Sequence, residues 1–278
     1  MVPPDRHVHT EWSWDAPAGS MERTCARAVE LGLRSVAFTD HADFTAWTLV
    51  DDESRFPAQL RAWVTRGVLS PPPLALEGYF ECLLRCRERF PELEILSGVE
   101  LSEPHWHAEA AARLLSQGDF DLVICGQHSL RRDSGVFVEV SDGYQDSEAA
   151  AVVRAYLAEA IRMIDGWADF EVLAHIDYPV RAWPRPGPGF CVADFEEEFR
   201  AVLRALARSG RVLEVNTRVP LNPDVIRWWR QEGGRAVSFG SDAHDPLALA
   251  HGFAEAAAVA AASGFRPGRY RHDFWMRA

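Results

Sequence analysis

Histidines and carboxylates in this chain sit where short apolar runs stop: His7-Val-His9, Asp40-His41, Gly98-Val-Glu100, Gln127-His128, Ala174-His175, Glu214-Val-Asn216 and Asp242-Ala-His244. One histidine at such a place is usually structural, whereas the same placement recurring along a chain points to metal ligation. His7 and His9 are two apart, so on a strand both side chains face one way and can chelate one cation. Imidazole together with carboxylate suits zinc, manganese or iron(II), and a carboxylate can bridge two ions, a part open to Glu100 and Asp242. Such a cluster can bring the pKa of a bound water down to about 7 and grip phosphoryl oxygens, which is what hydrolysis of a phosphate ester needs.

Ligands this far apart in sequence meet only if the fold gathers the ends of the apolar runs. Residues 20–32 carry a capping serine and helical apolar spacing, and Ser35-Val-Ala-Phe-Thr39 then reads as a buried strand. Further strands are expected at 94–97, 121–125, 171–174, 211–214 and 235–239, each after a helical segment. Strands that alternate with helices imply a parallel sheet with right-handed crossovers. With the run that ends at His9 this makes seven strands, so the expected fold is an α/β chain forming a distorted (β/α)7 barrel, parallel strands inside and helices outside. Barrel enzymes keep their chemistry at the C-terminal ends of the strands, where all these residues fall. Residues 44–78 are longer than a usual βα loop and read as a lid or substrate wall. The Pro- and Gly-rich stretch 182–190 follows the fifth strand on the same side. Residues 1–278 are expected to form a single domain.

Composition narrows the function classes. The chain has 278 residues, 47% of them hydrophobic, and a formal net charge of -12, which repels a nucleic-acid backbone and favours a small substrate over long nucleic acid. Its opening has no basic-then-apolar leader, and no apolar run approaches the roughly 20 residues needed to span a bilayer, so a soluble, cytoplasmic protein is expected. Five cysteines, none in a C-x-x-C pair, signal neither a disulfide framework nor a zinc ribbon; they read as reduced and mostly buried.

Taken in order, Asp5-Arg-His7-Val-His9 through Asp15, Thr39-Asp-His41, Gly98-Val-Glu100, Gln127-His128, Ala174-His175-Ile-Asp177 and Gly240-Ser-Asp242-Ala-His244 resemble the motifs of the polymerase and histidinol phosphatase (PHP) superfamily, most nearly its histidinol-phosphatase branch. The resemblance runs from residue 5 to about 265. It implies two or three divalent ions, zinc, manganese or iron: the first on His7, His9, Glu100 and Asp242, the second on Glu100, His128 and His175, the third on Asp15, His41 and His244. It implies a metal-dependent phosphomonoesterase in which a metal-bridging hydroxide attacks a small phosphorylated substrate such as L-histidinol phosphate. Asp242 and His244 lie where a general acid would act, but metal ligands are poor proton donors, and a metal-bound water is the equal alternative.

Arginines beside the ligand loops are candidate phosphate clamps, because a guanidinium matches two phosphate oxygens at once. Arg181 stands first, since the branch it resembles tends to carry a basic residue there, Arg218 second, and Arg132 or its neighbour Arg131 third. Glu214 and Asn216 read as hydrogen-bond partners that orient the ligands. His105 and His107 read as rim residues at a helix start, and one of Trp12 and Trp14 as a pocket wall. Two other readings remain: a phosphodiesterase acting on nucleotides or short oligonucleotides, and a non-catalytic metal-binding interaction module. Oligomeric state is not legible.

Overall fold

A computed structural model describes residues 2–50, 58–270 and 272–278. The chain begins with β1 (Asp5–Val8), α1 (Met21–Glu30) and β2 (Ser35–Asp43). A small excursion follows, made of β3 (Trp47–Thr48), α2 (Ala58–Arg61), β4 (Val64–Thr65) and β5 (Val68–Leu69). Then come α3 (Leu76–Arg89), β6 (Glu94–Ser102), α4 (Ala108–Gln117), β7 (Leu122–Gly126) and a hairpin of β8 (Ser129–Arg131) and β9 (Phe137–Glu139). The second half runs α5 (Ala149–Gly166), β10 (Val172–Leu173), α6 (Glu196–Ser209), β11 (Val212–Asn216), α7 (Pro223–Gln231), β12 (Ala236–Gly240), α8 (Phe253–Ala262), β13 (Phe265–Arg266) and β14 (Trp275–Arg277).

Local chemistry sets the element ends. The Ser20 side chain accepts from the Arg23 amide and caps α1, and Met21, Thr24, Cys25 and Ala28 turn its buried face to the sheet. Asn222 caps α7, with Pro223 at the first helical position, where its missing N–H costs nothing.

The parallel strands order as β1-β2-β6-β7-β10-β11-β12, the seven expected from the apolar runs. Their ring closes only at the top: Val8 bridges Ala243, the His9 amide donates to the Ala243 carbonyl at 2.9 Å, and the Asp242 amide donates to the His7 carbonyl at 2.8 Å. Lower down, β12 pairs instead with β14, antiparallel, in a C-terminal hairpin that the periodicity does not announce. The result is a curled parallel sheet, a distorted barrel with a seam between its first and last parallel strands.

Register fixes what faces inward. Ala37, Thr39, His41 and Asp43 on β2 lie opposite Leu96, Gly98, Glu100 and Ser102 on β6. The lower layers of this inward ladder are apolar, with Ala37, Leu122, Ile124, Val172, Ala174, Val212 and Ala236 in one cluster. The upper layers are polar. Helices cover the outside through two larger apolar clusters, one of which buries Cys25, Cys82 and Cys86. All five cysteines are free and only Cys191 is exposed. Among the described residues, no helix is long and apolar enough to cross a membrane.

The excursion after β2 is a three-stranded sheet of β3, β5 and β4, and it sends Trp47 and Leu60 toward the top of the barrel. Asp51-Asp-Glu53 of that insertion lie outside the described residues.

Candidate metal centre

Each strand delivers its ligand by ending. β1 ends at Val8 and presents His7 and His9; β2 and β6 run long enough to set His41 against Glu100; β7, β10 and β12 stop just short of His128, His175 and Asp242. Two of these residues hold backbone that side chains rarely adopt, His175 with φ 24° and Asp242 with φ 55°. Both are pinned from behind, His175 by donating its amide to Glu214 Oε2 at 2.7 Å and Asp242 by its amide bond to His7.

The nine ligating side chains expected from sequence and resemblance fall in one bowl and in three groups. His7 Nε2 and His9 Nε2 are 3.0 Å apart, with Glu100 Oε2 at 3.2 and 3.5 Å and Asp242 Oδ1 at 3.8 and 3.3 Å respectively. Glu100 Oε1 meets His175 Nε2 at 2.8 Å and His128 Nε2 at 3.4 Å, and those two nitrogens are 3.3 Å apart. Asp15 Oδ2 lies 3.2 Å from His244 Nε2 and 3.4 Å from His41 Nε2. Glu100 thus faces the second group with Oε1 and the first with Oε2, which also lies 3.1 Å from His41 Nδ1 of the third, a placement open to a bridging carboxylate.

Divalent cations fit this donor set. On the far side of the rings, His7 Nδ1 meets Glu214 Oε1 at 2.7 Å, His9 Nδ1 meets Ser13 Oγ at 3.0 Å, and His244 Nδ1 meets the Asp242 carbonyl at 2.9 Å. His128 Nδ1 contacts Ser102 Oγ at 2.8 Å and Asp43 Oδ1 at 3.3 Å. A proton held on Nδ1 leaves the Nε2 lone pair for a metal, and such partners also fix the ring plane. The second group is shaped by Gly126: a Cβ there would run into Glu100 Oε1, 2.7 Å from His175 Cε1 and 3.0 Å from His128 Nε2.

The electrostatics belong to acids buried among imidazoles. Burial pushes the Glu100 carboxyl up, but His7, His128 and His41 outweigh it and hold it well below the ordinary range. Asp242 follows the same rule through Arg181 and His7, and Asp15 through His41 and His244. In return, and against their own burial, His7 is held well above its usual value by Glu214, Glu100 and Asp242, and His128 is pushed up to about 10 by Glu100 and Asp43. His175 moves the other way, down to about 4, because its burial outweighs Glu100. These carboxylates require positive charge, which protons or divalent ions can supply.

Supporting residues divide between those sequence reasoning found and those it did not. Glu214 and Asn216 orient the site as expected: Glu214 holds His7 and the His175 amide, and Asn216 donates to Glu214 at 3.0 Å. Asp43 and Glu103 went unforeseen. Asp43 holds His128 and accepts from the Trp14 indole at 2.6 Å; Glu103 accepts from the backbone of His128 and Ser129 at 2.6 and 2.7 Å. Asp43 was signalled by spacing, since it follows His41 by two on the same strand and so shares its face. Nothing comparable marks Glu103.

Above the bowl lies a cleft of about 360 Å³, lined by Asp15, His41, His128, Asp242 and His244 together with Trp14, Trp47, Leu60, Glu139 and Tyr178. Arg181 and Arg218 reach into it. Arg181 Nη2 is 2.5 Å from Asp242 Oδ2, and Arg218 Nη1 is 3.3 Å from Asp242 Oδ1. The third choice is corrected by position. Arg132 pairs with Asp146 and bonds the Asp142 carbonyl, and Arg131 stacks over Phe137, because the β8–β9 hairpin carries both away from the cleft. Of the two tryptophans Trp14 is the wall, while Trp12 packs toward Gly78 and the core. His105 and His107 precede α4 and bond Glu159 and Thr45, so neither lines the cleft.

A parallel barrel that gathers acids and imidazoles from the ends of its strands into adjoining groups able to hold metal ions defines a metal-dependent barrel enzyme. The family model of the PHP domain matches residues 5–218, and the chain belongs to that family. It is 24% identical over 251 residues to the histidinol-phosphatase of Lactococcus lactis, covering 86% of this chain and 83% of that protein. To the probable histidinol-phosphatase of Thermotoga maritima it is 24% identical over 261 residues, covering 90% and 88%. Among solved structures, the histidinol phosphate phosphatase of Lactococcus lactis, complexed with zinc, L-histidinol and phosphate, matches with a TM-score of 0.76 at 23% identity over 94% of each chain. The putative histidinol phosphatase of Listeria monocytogenes matches with a TM-score of 0.70 at 16% identity, over 91% of this chain and 99% of that one.

Proposed function

We propose that this protein is a metal-dependent phosphomonoesterase that hydrolyses the phosphate ester of a small metabolite, with L-histidinol phosphate as its substrate. The observation that carries the reading is the convergence of nine imidazole and carboxylate side chains, all of types able to ligate a metal, beneath a cleft into which Arg181 and Arg218 project. The similarity to histidinol-phosphatases, one of them solved with zinc, L-histidinol and phosphate, supports the substrate.

In this reading His7, His9, Glu100 and Asp242 hold one ion, Glu100 with His128 and His175 a second, and Asp15 with His41 and His244 a third. Zinc, manganese and iron all suit these donors. Bound there, divalent ions supply Lewis acidity toward the phosphoryl oxygens and make water nucleophilic at neutral pH. The chain's own part is positioning. Arg181 and Arg218 offer guanidinium donors to the phosphate, in a sequence that contains no lysine. Residues 1–278 act as one domain, and the 44–78 insertion forms one wall of the cleft through Trp47 and Leu60.

Metal analysis of the purified protein, paired with a phosphatase screen of L-histidinol phosphate, other amino-alcohol and sugar phosphates and short oligonucleotides, tests the proposal. Two or three equivalents of transition metal and turnover of a phosphomonoester are expected. His9→Ala and Asp242→Ala should abolish turnover with the fold retained. Full activity in both variants would refute the assignment.

A further inference from the structure

Glu103 does more than hold the backbone of His128. Its side chain is fully buried, and donors from the loops after β2 and β7 converge on it. Oε1 accepts from the consecutive amides of His128 and Ser129. Oε2 accepts from the Thr45 hydroxyl at 2.9 Å and from the Ser129 hydroxyl at 3.0 Å. The Glu103 backbone stands at φ 44°, a left-handed conformation that persists in a residue with a side chain only where the surroundings impose it.

The Ser129 hydroxyl continues to the wall of the cleft, where its oxygen accepts from the Trp47 indole at 2.7 Å. A carboxylate can only accept, so Glu103 fixes the direction of this bond pair: Ser129 gives its proton to Glu103 and keeps a lone pair for Trp47. Thr45, two residues before Trp47, gives its proton to the same oxygen. Trp47 is thereby tied, through Ser129 and Glu103, to the peptide that carries His128.

Resting on the metal-binding reading above, we propose that Glu103 is a positioning residue that couples the Trp47 wall of the cleft to the ion held by Glu100, His128 and His175. The wall steadies the His128 backbone, and by reciprocity the bound ion steadies the wall, so that cleft and second ion are completed together. Glutamine at this position separates the two duties. Its oxygen must stay with the two fixed amides, which turns its NH2 toward the hydroxyls. Ser129 Oγ can still accept from Trp47, but its proton loses its acceptor and the path to the wall is cut.

The test is a double-mutant cycle on zinc affinity. Zinc is titrated into metal-free wild type, Trp47→Phe, Glu103→Gln and the double variant in competition with a chromophoric chelator, and the step that His175→Ala abolishes identifies the second ion. Trp47→Phe, which keeps a ring and removes the indole donor, should weaken that step about fivefold or more, as should Glu103→Gln. The double variant should fall within about twofold of Glu103→Gln alone, because both changes cut one path, and the other zinc steps should stay within about twofold of wild type. Multiplied losses in the double variant would mean independent effects, such as a route from Trp47 through Trp14 and Asp43 to His128, and would overturn the proposal. So would a Trp47→Phe titration that matches wild type, or equal weakening of every step, which would mark Glu103 as structural. If Glu103→Gln does not fold, Ser129→Ala takes its place in the cycle with the same outcomes. A wild type with no zinc step sensitive to His175→Ala would refute the metal centre itself, and the coupling with it.

Discussion

Replacing Glu214 with glutamine changes no volume and removes one acceptor from a place where three donors converge. The Glu214 carboxylate receives His7 Nδ1 at 2.7 Å, the His175 amide at 2.7 Å and the Asn216 amide at 3.0 Å, with the side chain only 2% exposed. A glutamine oxygen can take two of these donors, and its NH2 must then face the third. Turned toward His175 it would oppose a backbone N–H that cannot move, so the lower-energy arrangement points NH2 at His7 Nδ1. There the imidazole avoids a clash of donors only by moving its proton to Nε2, the nitrogen turned toward His9 and Glu100. A protonated Nε2 cannot ligate. Loss of such an orienting partner costs about 10–100-fold in metal affinity, or roughly 1.4–2.8 kcal/mol. Competition titration with a chromophoric chelator, with kcat measured at limiting and at saturating metal, is the assay. Glu214→Gln should bind its first ion about 10–100-fold more weakly and recover activity in part at high metal. Wild-type metal affinity and turnover within about twofold would refute the tautomer argument.

Gly126→Ala should fold normally yet lose metal from the group of Glu100, His128 and His175, because the added methyl occupies their hollow; metal content by mass spectrometry reads this directly. Arg181→Ala should raise KM for a phosphomonoester more than it lowers kcat, measurable in steady-state kinetics, since its guanidinium is free of the ligating atoms apart from Asp242. Tyr79→Phe addresses the scaffold: the buried hydroxyl donates to the Phe38 carbonyl at 2.8 Å and accepts from the Gly98 amide at 2.9 Å, and its loss should cost about 1–3 kcal/mol in denaturant unfolding with kcat preserved. Removing metal with a chelator should lower Tm, since ions that bind only the folded bowl stabilise it by mass action; an unchanged Tm on full metal loss would contradict that coupling.

The barrel was legible because each strand is a short apolar run bounded by a helix, and both signals are local. Its ligands were legible for a related reason: polar residues closing apolar runs stand out against the pattern, as His128 does after Leu122–Gly126 and His175 after Val172-Leu173. Asp15 is different, since it lies in a loop and only the resemblance singled it out. What escaped depends on contacts distant in sequence. Glu103 looks like an ordinary loop acid until β7 brings the amides of His128 and Ser129 to it, and Glu139 reaches the cleft only because β9 folds back on β8. Arg132 misled by proximity in sequence, for three residues of hairpin turn a neighbour of His128 away from the cleft toward Asp146. The C-terminal hairpin was hidden because strands of two and three residues carry no periodicity.

The seam between the first and last parallel strands gives this chain an order of events during its synthesis. His7 and His9 leave the ribosome first, and Asp242 and His244 follow more than two hundred residues later, yet in the finished fold the four side chains are neighbours across the seam. A nascent chain can therefore assemble most of its sheet without a working centre. Under the proposed ligand assignment, hydrolytic capacity would arrive in one step, when the final parallel strand docks beside the opening one and brings Asp242 to His7 and His9.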